Sequence, residues 1–114
     1  MKKPQSNYRQ DIFEVTRLIP YGRVTTYGHI ADYLALGSAR MVGWALNNSF
    51  GEEGIPAHRV VNRKGELSGR THFPPPLTMQ QRLEAEGIKV ENDKITNFTS
   101  LLWIPAEALK NDFE

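Results

Sequence analysis

Apolar residues recur at helical spacing near the start of the chain, at Tyr8, Ile12, Val15 and Ile19. Repeats of three and four residues place such side chains on one face of a helix, so the pattern predicts a first helix over 8–19. Asn7 is a suitable N-cap for this helix, and Pro20 follows directly after its end.

Two shorter helical patterns follow, separated by a tight turn at Gly37 and Ser38. The β-prone residues 24–26 favour a short strand that leads into a second helix from Tyr27 to about Leu36. A third helix is predicted over 39–48, with an apolar face of Val42, Ala45 and Leu46. Two short helices joined by a glycine turn indicate a helix-turn-helix.

The second half of the chain alternates loops with short apolar segments. Residues 55–61 are apolar enough to be buried, whereas the three prolines at 74–76 predict a lid-like surface loop over 71–76. A fourth helix is predicted over 77–86, followed by a small hairpin from 88–90 and 94–95. The residues expected to close the core are Phe98, Leu101, Leu102 and Trp103. The predicted fold class is mainly α with a small β-hairpin.

Length and composition fit a single globular domain over 1–114, with a core of about 7–103. The chain has 39% hydrophobic and 24% charged residues, which excludes disordered and fibrous classes. It contains no apolar run long enough to span a membrane and no apolar signal-peptide core after its first residues. These features predict a cytoplasmic protein with no membrane partner. The sequence offers no obvious dimer interface, so we expect a monomer.

The chemistry available to the chain is limited by the absence of cysteine and the presence of only three histidines. No thiolate nucleophile, disulfide or recognisable metal-ligand pattern is present, so we expect neither a metal nor another cofactor. Residues 1–70 carry a net charge of +4 and residues 71–114 a net charge of −3. The basic first part is compatible with an anionic partner such as nucleic acid.

Four segments of the chain carry a resemblance to a known family: 24–28 (Val-Thr-Thr-Tyr-Gly), 39–43 (Ala-Arg-Met-Val-Gly), 56–61 (Pro-Ala-His-Arg-Val-Val) and 83–87 (Leu-Glu-Ala-Glu-Gly). Their order and spacing resemble those of the DNA-binding domain of O6-alkylguanine-DNA alkyltransferases, a winged-helix-like helix-turn-helix domain. The family's active-site signature is Pro-Cys-His-Arg-Val, in which the cysteine accepts the alkyl group. Ala57 occupies that position here.

The pattern with the cysteine replaced is similar to that of alkyltransferase-like proteins. This resemblance implies a non-enzymatic sensor that contacts the minor groove of duplex DNA through its helix-turn-helix and flips O6-alkylguanine out of the duplex. It also implies that the sensor flags the lesion for nucleotide excision repair proteins. Alkyl transfer requires an activated thiolate, which alanine cannot supply. Ala57 is smaller than the tryptophan that is frequent at this position in alkyltransferase-like proteins. This difference predicts a roomier pocket that accepts bulkier O6-alkyl groups.

The resemblance also implies roles for individual residues. Arg40 matches the arginine finger that fills the gap left by the flipped base, and Tyr27 matches the tyrosine that helps to rotate that base outward. Arg70 is expected to stack on the flipped purine. The DNA-binding residues implied are Thr25, Thr26, Tyr27, Ala39, Arg40 and Gly43. The lesion-pocket residues implied are Tyr27, Pro56, Ala57, Val60, Ser68, Gly69 and Arg70.

Other positions leave alternatives open. His58 and Glu86 match the family's base and its orienting carboxylate, but without a cysteine we interpret them as a vestigial, buried polar pair that holds 56–61. Trp44 is compatible both with a DNA contact and with a rim aromatic. The turn before Arg40 is one residue shorter than in the enzymes and lacks proline. The alternative functions are a sequence-reading transcriptional regulator and a residual enzyme that uses water activated by His58.

Overall fold

The computed structural model describes residues 8–49 and 52–110. Its helices are α1 (Tyr8–Arg17), α2 (Tyr27–Tyr33), α3 (Ala39–Asn47), α4 (Met79–Glu84), α5 (Phe98–Leu101) and α6 (Pro105–Ala108). Its strands are β1 (Thr25–Thr26), β2 (Val60–Val61), β3 (Val90–Glu91) and β4 (Lys94–Ile95). Two 3₁₀ turns cover Ala57–Arg59 and Arg70–His72. The N-cap predicted at Asn7 lies outside the described residues. The mainly helical fold class with a small hairpin is confirmed.

The first three helices pack together around one apolar cluster, and α3 contacts both α1 and α2. Burial of their apolar faces removes this surface from water and supplies most of the local stabilisation. The fully buried side chains of this cluster include Ile12, Phe13, Ile30, Val42, Ala45 and Val60. The predicted inward face of α3 is therefore confirmed, and its opposite face is left exposed.

Helix α2 ends earlier than predicted, at Tyr33 rather than Leu36. Ala35 adopts a left-handed conformation with φ 57°, and the Leu36 amide donates to the Ala31 carbonyl at 2.9 Å. The Ala35 amide donates to the Asp32 carbonyl at 3.2 Å, which completes a Schellman motif. This turn orients α3 relative to α2 and completes the helix-turn-helix.

A parallel strand pair connects the two halves of the chain, and the sequence did not reveal it. Thr25 pairs with Val60 and Thr26 with Val61. On the far side of this pair, the Trp103 amide donates to the Val24 carbonyl at 2.7 Å. The 3₁₀ turn at 57–59 is thereby held directly against the start of α2.

The second half packs around its own apolar cluster, which includes Val24, Val61, Leu67, Met79, Leu83 and Ile95. The predicted hairpin is present, and its turn residues Asn92 and Asp93 are both left-handed, with φ 52° and 60°, as in a type I′ turn. Its first strand is Val90–Glu91 rather than 88–90. Of the predicted closing residues, Trp103 is buried, while Phe98, Leu101 and Leu102 are half-buried.

Helix α4 is shorter than the predicted 77–86. Thr78 caps it by accepting from the Gln81 amide at 3.2 Å, and Gln81 accepts from the Thr78 amide at 2.9 Å. This capping box fixes the start at Met79. The three prolines before it are exposed, as predicted for a surface loop. None of the helices in the described ranges has the length and apolar character needed to cross a membrane.

Candidate nucleic-acid interface

The exposed face of α3 carries a stripe of residues spaced by three and four: Arg40, Gly43, Trp44 and Asn47. This spacing places them side by side along one face of the helix. The stripe forms one wall of a surface groove of about 490 Å³, which we call the outer groove. Its lining residues are Tyr27, Ala39, Arg40, Gly43, Trp44, Asn47, Ser68, Gly69 and His72.

A second, more enclosed space lies behind the outer groove and has a volume of about 320 Å³. We call it the inner cavity. Its lining residues are Tyr27, Leu46, Asn47, Ser49, Ile55, Ala57, Gly69, His72 and Phe73. The two spaces adjoin, because they share four lining residues, namely Tyr27, Asn47, Gly69 and His72. Ala57 therefore lies in a cavity directly behind the outer groove.

Tyr27 stands at the boundary between the two spaces. It is the first residue of α2, and the Thr26 hydroxyl caps that helix by accepting from the His29 amide at 3.0 Å. A Cβ on Gly69 would lie 2.9 Å from the Tyr27 hydroxyl, and a Cβ on Gly43 would lie 3.9 Å from its ring. Glycines on both sides thus leave room for the phenol. Burial raises the pKa of Tyr27, although a hydrogen bond with Ser68 opposes this shift, so the hydroxyl stays protonated.

A compact polar network lies next to Ala57. His58 Nε2 is 2.7 Å from Glu86 Oε2, and the guanidinium of Arg59 donates to the same carboxylate at 2.9–3.1 Å. The Gly22 amide donates to Glu86 Oε1 at 2.7 Å, and Arg59 also donates to the Ile19 carbonyl at 2.9 Å. These bonds connect the end of α4, the 3₁₀ turn at 57–59 and the turn after α1.

The electrostatics of this network follow from burial and from its donors. Burial lowers the pKa of His58, and the hydrogen bond with Glu86 opposes this shift only in part. For Glu86, burial alone would raise the pKa, but the hydrogen bonds from Arg59, Gly22 and His58 lower it below its ordinary value. At neutral pH the pair is therefore a neutral imidazole and a carboxylate. Ala57 beside it offers no lone pair, so the network has no nucleophile to activate there.

Several predicted site residues lie away from the two spaces. Thr25 and Thr26 are buried, and the Thr26 hydroxyl is already used as the helix cap, which does not favour the predicted phosphate contacts through these hydroxyls. Val60 is fully buried in the first cluster. Arg70 donates to the Leu67 carbonyl at 3.0 Å and lies 3.4 Å from the Asp93 carboxylate. Neither space is lined by Pro56, Val60 or Arg70.

The sequence reasoning missed residues that the structure does place here. Asn47 and His72 line both spaces, and Leu46, Ile55 and Phe73 line the inner cavity. Asn47 was detectable, because it lies two helical turns after Arg40 on the same face. His72 was not, because its position depends on the 3₁₀ turn at 70–72. In the described ranges, no cluster of three or more potential ligands could hold a metal ion.

Comparison with known proteins agrees with this geometry. The family model "6-O-methylguanine DNA methyltransferase, DNA binding domain" matches residues 7–88. Alkyltransferase-like protein 1 of Schizosaccharomyces pombe is 34% identical over 99 residues, which covers 82% of this chain and 92% of that protein. A DNA base-flipping protein of Vibrio parahaemolyticus is 46% identical over 83 residues, covering 69% of this chain and 78% of the relative.

A solved structure also matches the fold. The crystal structure of the S. pombe protein Atl1, in complex with damaged DNA containing O6-carboxymethylguanine, superposes with a TM-score of 0.73 and 29% identity. The match covers 90% of this chain and 98% of that one. The chain therefore belongs to the family of the 6-O-methylguanine DNA methyltransferase DNA-binding domain, as an alkyltransferase-like protein in which Ala57 occupies the position of the active-site cysteine.

Proposed function

We propose that this protein binds duplex DNA containing O6-alkylguanine, flips the modified base into the inner cavity and holds it there without removing the alkyl group. The observation that carries this proposal is that the outer groove, lined by Arg40, adjoins an inner cavity lined by Ala57. A flipped base needs such an enclosed pocket next to the DNA-facing element. The S. pombe relative bound to damaged DNA supports the same use of the fold.

Arg40 is suited to support the flipped state. It lies exposed in the first turn of α3 and lines the outer groove. Flipping a base costs a few kcal/mol, and a planar cation placed in the vacated stack offsets part of this cost. We therefore assign Arg40 as the residue that fills the gap, and Tyr27, at the boundary of the two spaces, as the group that the rotating nucleotide passes.

The chemistry beside the inner cavity favours binding without reaction. The chain contains no cysteine, and the His58 ring and the Glu86 carboxylate are engaged with each other and with Arg59. Ser49, the hydroxyl-bearing residue of the cavity wall besides Tyr27, donates to the Leu46 carbonyl at 2.8 Å. A bound O6-alkyl group therefore meets an alanine methyl group instead of an activated nucleophile.

The test is binding to two short duplexes that differ only in a central O6-methylguanine or guanine, at one fixed salt concentration. Recovered DNA is analysed by HPLC for the modified base. We expect a clear preference for the modified duplex, with the methyl group still in place. Arg40→Ala should reduce this preference at least tenfold, whereas Arg63→Ala should not. Arg63 is a matched control, because it is an exposed arginine that lines neither space.

Other outcomes would identify the alternatives. Equal binding to both duplexes, together with a preference for one DNA sequence, would replace the sensor by a transcriptional regulator. Loss of the methyl group from the recovered DNA would show a residual enzyme, and His58→Gln would then test whether His58 activates water. A preference that survives Arg40→Ala would remove the role assigned to Arg40 but not the sensor function.

The proposal has a second step, in which the protein flags the bound lesion for nucleotide excision repair proteins. A protein that holds a lesion without repairing it needs another system to remove the damage. Excision of an O6-alkylguanine duplex by purified repair proteins should be faster when this protein is present. An excision rate that the protein leaves unchanged or lowers would contradict this step and leave the binding step intact.

A further inference from the structure

Trp44 is a large aromatic residue that the described structure leaves half exposed, at 53% of its surface. Its neighbours on either side in the helix, by contrast, are half-buried or buried, and the other tryptophan of the chain, Trp103, is only 7% exposed. Exposure of an indole in water is unfavourable, and an exposed aromatic residue in a groove is typical of an interaction site. Trp44 lines the outer groove, whereas the equally exposed Leu18 does not, so Trp44 is a candidate contact residue.

The surroundings of Trp44 indicate what kind of partner it meets. It lies one helical turn after Arg40 on the same stripe and lines the same outer groove. The guanidinium of Arg9 lies over its ring, 6.0 Å from the ring centroid, and also donates to the Asn48 carbonyl at 3.1 Å. The indole thus lies in a basic surrounding and is supported from α1, which complements a polyanion better than an apolar protein surface.

The two spaces separate the role of Trp44 from the recognition of the lesion. Trp44 lines the outer groove but is not among the residues that line the inner cavity. Any contact that Trp44 makes from the outer groove therefore lies outside the cavity that takes the flipped base in the proposed function. Proteins that bind the minor groove use apolar side chains as wedges at base steps. Such contacts strengthen binding without distinguishing one base from another.

We propose that Trp44 is a second DNA-contacting residue of α3, which packs its indole against the minor groove beside the flipped nucleotide and strengthens binding to damaged and undamaged DNA alike. The inference rests on the proposed function in that it uses the same DNA-facing groove. It differs from the role of Arg40, because Arg40 acts on the flipped state and thus on the preference for the lesion.

The test compares Trp44→Ala with Leu18→Ala on the modified and unmodified duplexes. Leu18 is a matched control, because it is also 53% exposed but lines neither space. We expect Trp44→Ala to weaken binding to both duplexes by about the same factor, on the order of tenfold, which is the scale of one aromatic contact to a nucleotide. Leu18→Ala should leave both affinities unchanged.

A fluorescence measurement on the unaltered protein gives an independent readout. In the free protein, a neutral quencher such as acrylamide should reach Trp44 and hardly affect Trp103. Saturating DNA should shield Trp44 from acrylamide and so reduce the quenching of its fluorescence. Trp44→Phe should remove the fluorescence component that DNA shields. Emission that stays accessible in the complex would overturn the proposal.

The outcomes separate the two proposals. If the unaltered protein shows no preference for the modified duplex, the proposed function fails, whatever Trp44 does. If that preference is present and Trp44→Ala changes neither affinity, only the role of Trp44 fails, and its exposed ring belongs to another contact, such as a protein partner. A loss restricted to the modified duplex would also overturn the inference, because it would place Trp44 in lesion recognition.

Discussion

Gly69 and Tyr27 approach each other so closely that a methyl group on Gly69 would lie 2.9 Å from the tyrosine hydroxyl. This contact occurs where the outer groove meets the inner cavity, since both residues line both spaces. A separation of 2.9 Å between a methyl carbon and an oxygen is too short for van der Waals contact, and so any side chain at position 69 forces the phenol to move. The position of the Tyr27 ring at the boundary of the two spaces thus depends on this glycine.

Gly69→Ala should therefore weaken binding to the O6-methylguanine duplex by roughly tenfold, because the displaced Tyr27 ring disturbs the boundary that the flipped base crosses in the proposed function. Binding to the unmodified duplex should change little. Gly37→Ala is the control, because a Cβ there has no neighbour within 4 Å. Equal affinities of Gly69→Ala and the unaltered protein would show that the contact between Gly69 and Tyr27 does not control entry to the inner cavity.

Ala57→Leu should discriminate among lesions by size. The added carbons occupy part of the 320 Å³ inner cavity, so a bulky O6-benzyl group should lose more affinity than an O6-methyl group. We expect the affinity for the O6-benzyl duplex, divided by that for the O6-methyl duplex, to fall by about tenfold. This is the effect expected when a few methylene groups lose their packing contacts. Ala106→Leu, on the exposed face of α6, is the control. A ratio unchanged by Ala57→Leu would place the alkyl group elsewhere.

Glu86→Gln should destabilise the fold. The substitution leaves Arg59, whose side chain is only 15% exposed, without its carboxylate partner. Loss of one member of such a buried pair costs about 3 kcal/mol, which urea denaturation measures directly. Glu91→Gln, whose pair with Lys89 is 3.7 Å long and mostly exposed, should change the free energy of unfolding by less than about 0.5 kcal/mol. Similar effects of both substitutions would contradict the structural role of the network.

Stability should decrease in mildly acidic solution. The folded pKa of His58 is lowered, so below its unfolded value of 6.5 the unfolded chain binds a proton that the folded chain does not. The pKa of Glu86 is also lowered, so its contribution is present above its unfolded value of 4.5 and is lost as the pH falls through the folded pKa. Melting temperatures between pH 7 and 4 should fall continuously. His58→Gln should reduce the fall in melting temperature just below pH 6.5, where His58 contributes. If the substitution leaves the pH dependence unchanged, His58 is not the group responsible.

Ala35→Gly should stabilise the protein slightly. Ala35 has a φ of 57°, which glycine adopts without the steric cost that a Cβ imposes. We expect the free energy of unfolding to rise by about 0.5 kcal/mol. The rise is smaller than the strain relieved, because glycine also increases the conformational entropy of the unfolded chain. Ala39 lies in the regular first turn of α3, so Ala39→Gly should lower the melting temperature. In thermal denaturation, Ala35→Gly should raise it. A destabilised Ala35→Gly would contradict the observed cap.

The sequence determined much of the local structure, because its signals are local. The apolar spacing in α1 and α3 predicted those helices and the buried face of α3, which the structure confirms, although α1 ends at Arg17 and not at position 19. The end of α2 was predicted wrongly because the left-handed cap residue is Ala35, not the glycine that normally marks such a position. The four-segment resemblance also identified the family, since those segments contain its motifs in order. That the chain forms one domain stays a prediction.

Tertiary structure alone decided which residues form the site. The pairing of Thr25 with Val60 joins segments 35 positions apart, and no local periodicity encodes such a contact. This pairing places Ala57 behind Tyr27 and buries Thr25 and Thr26, while the 3₁₀ turn at 70–72 brings His72 to the cavity that Asn47 also lines. The absence of cysteine settled from the sequence that no thiolate acts here, whereas the contact between Gly69 and Tyr27 exists only because distant segments pack together.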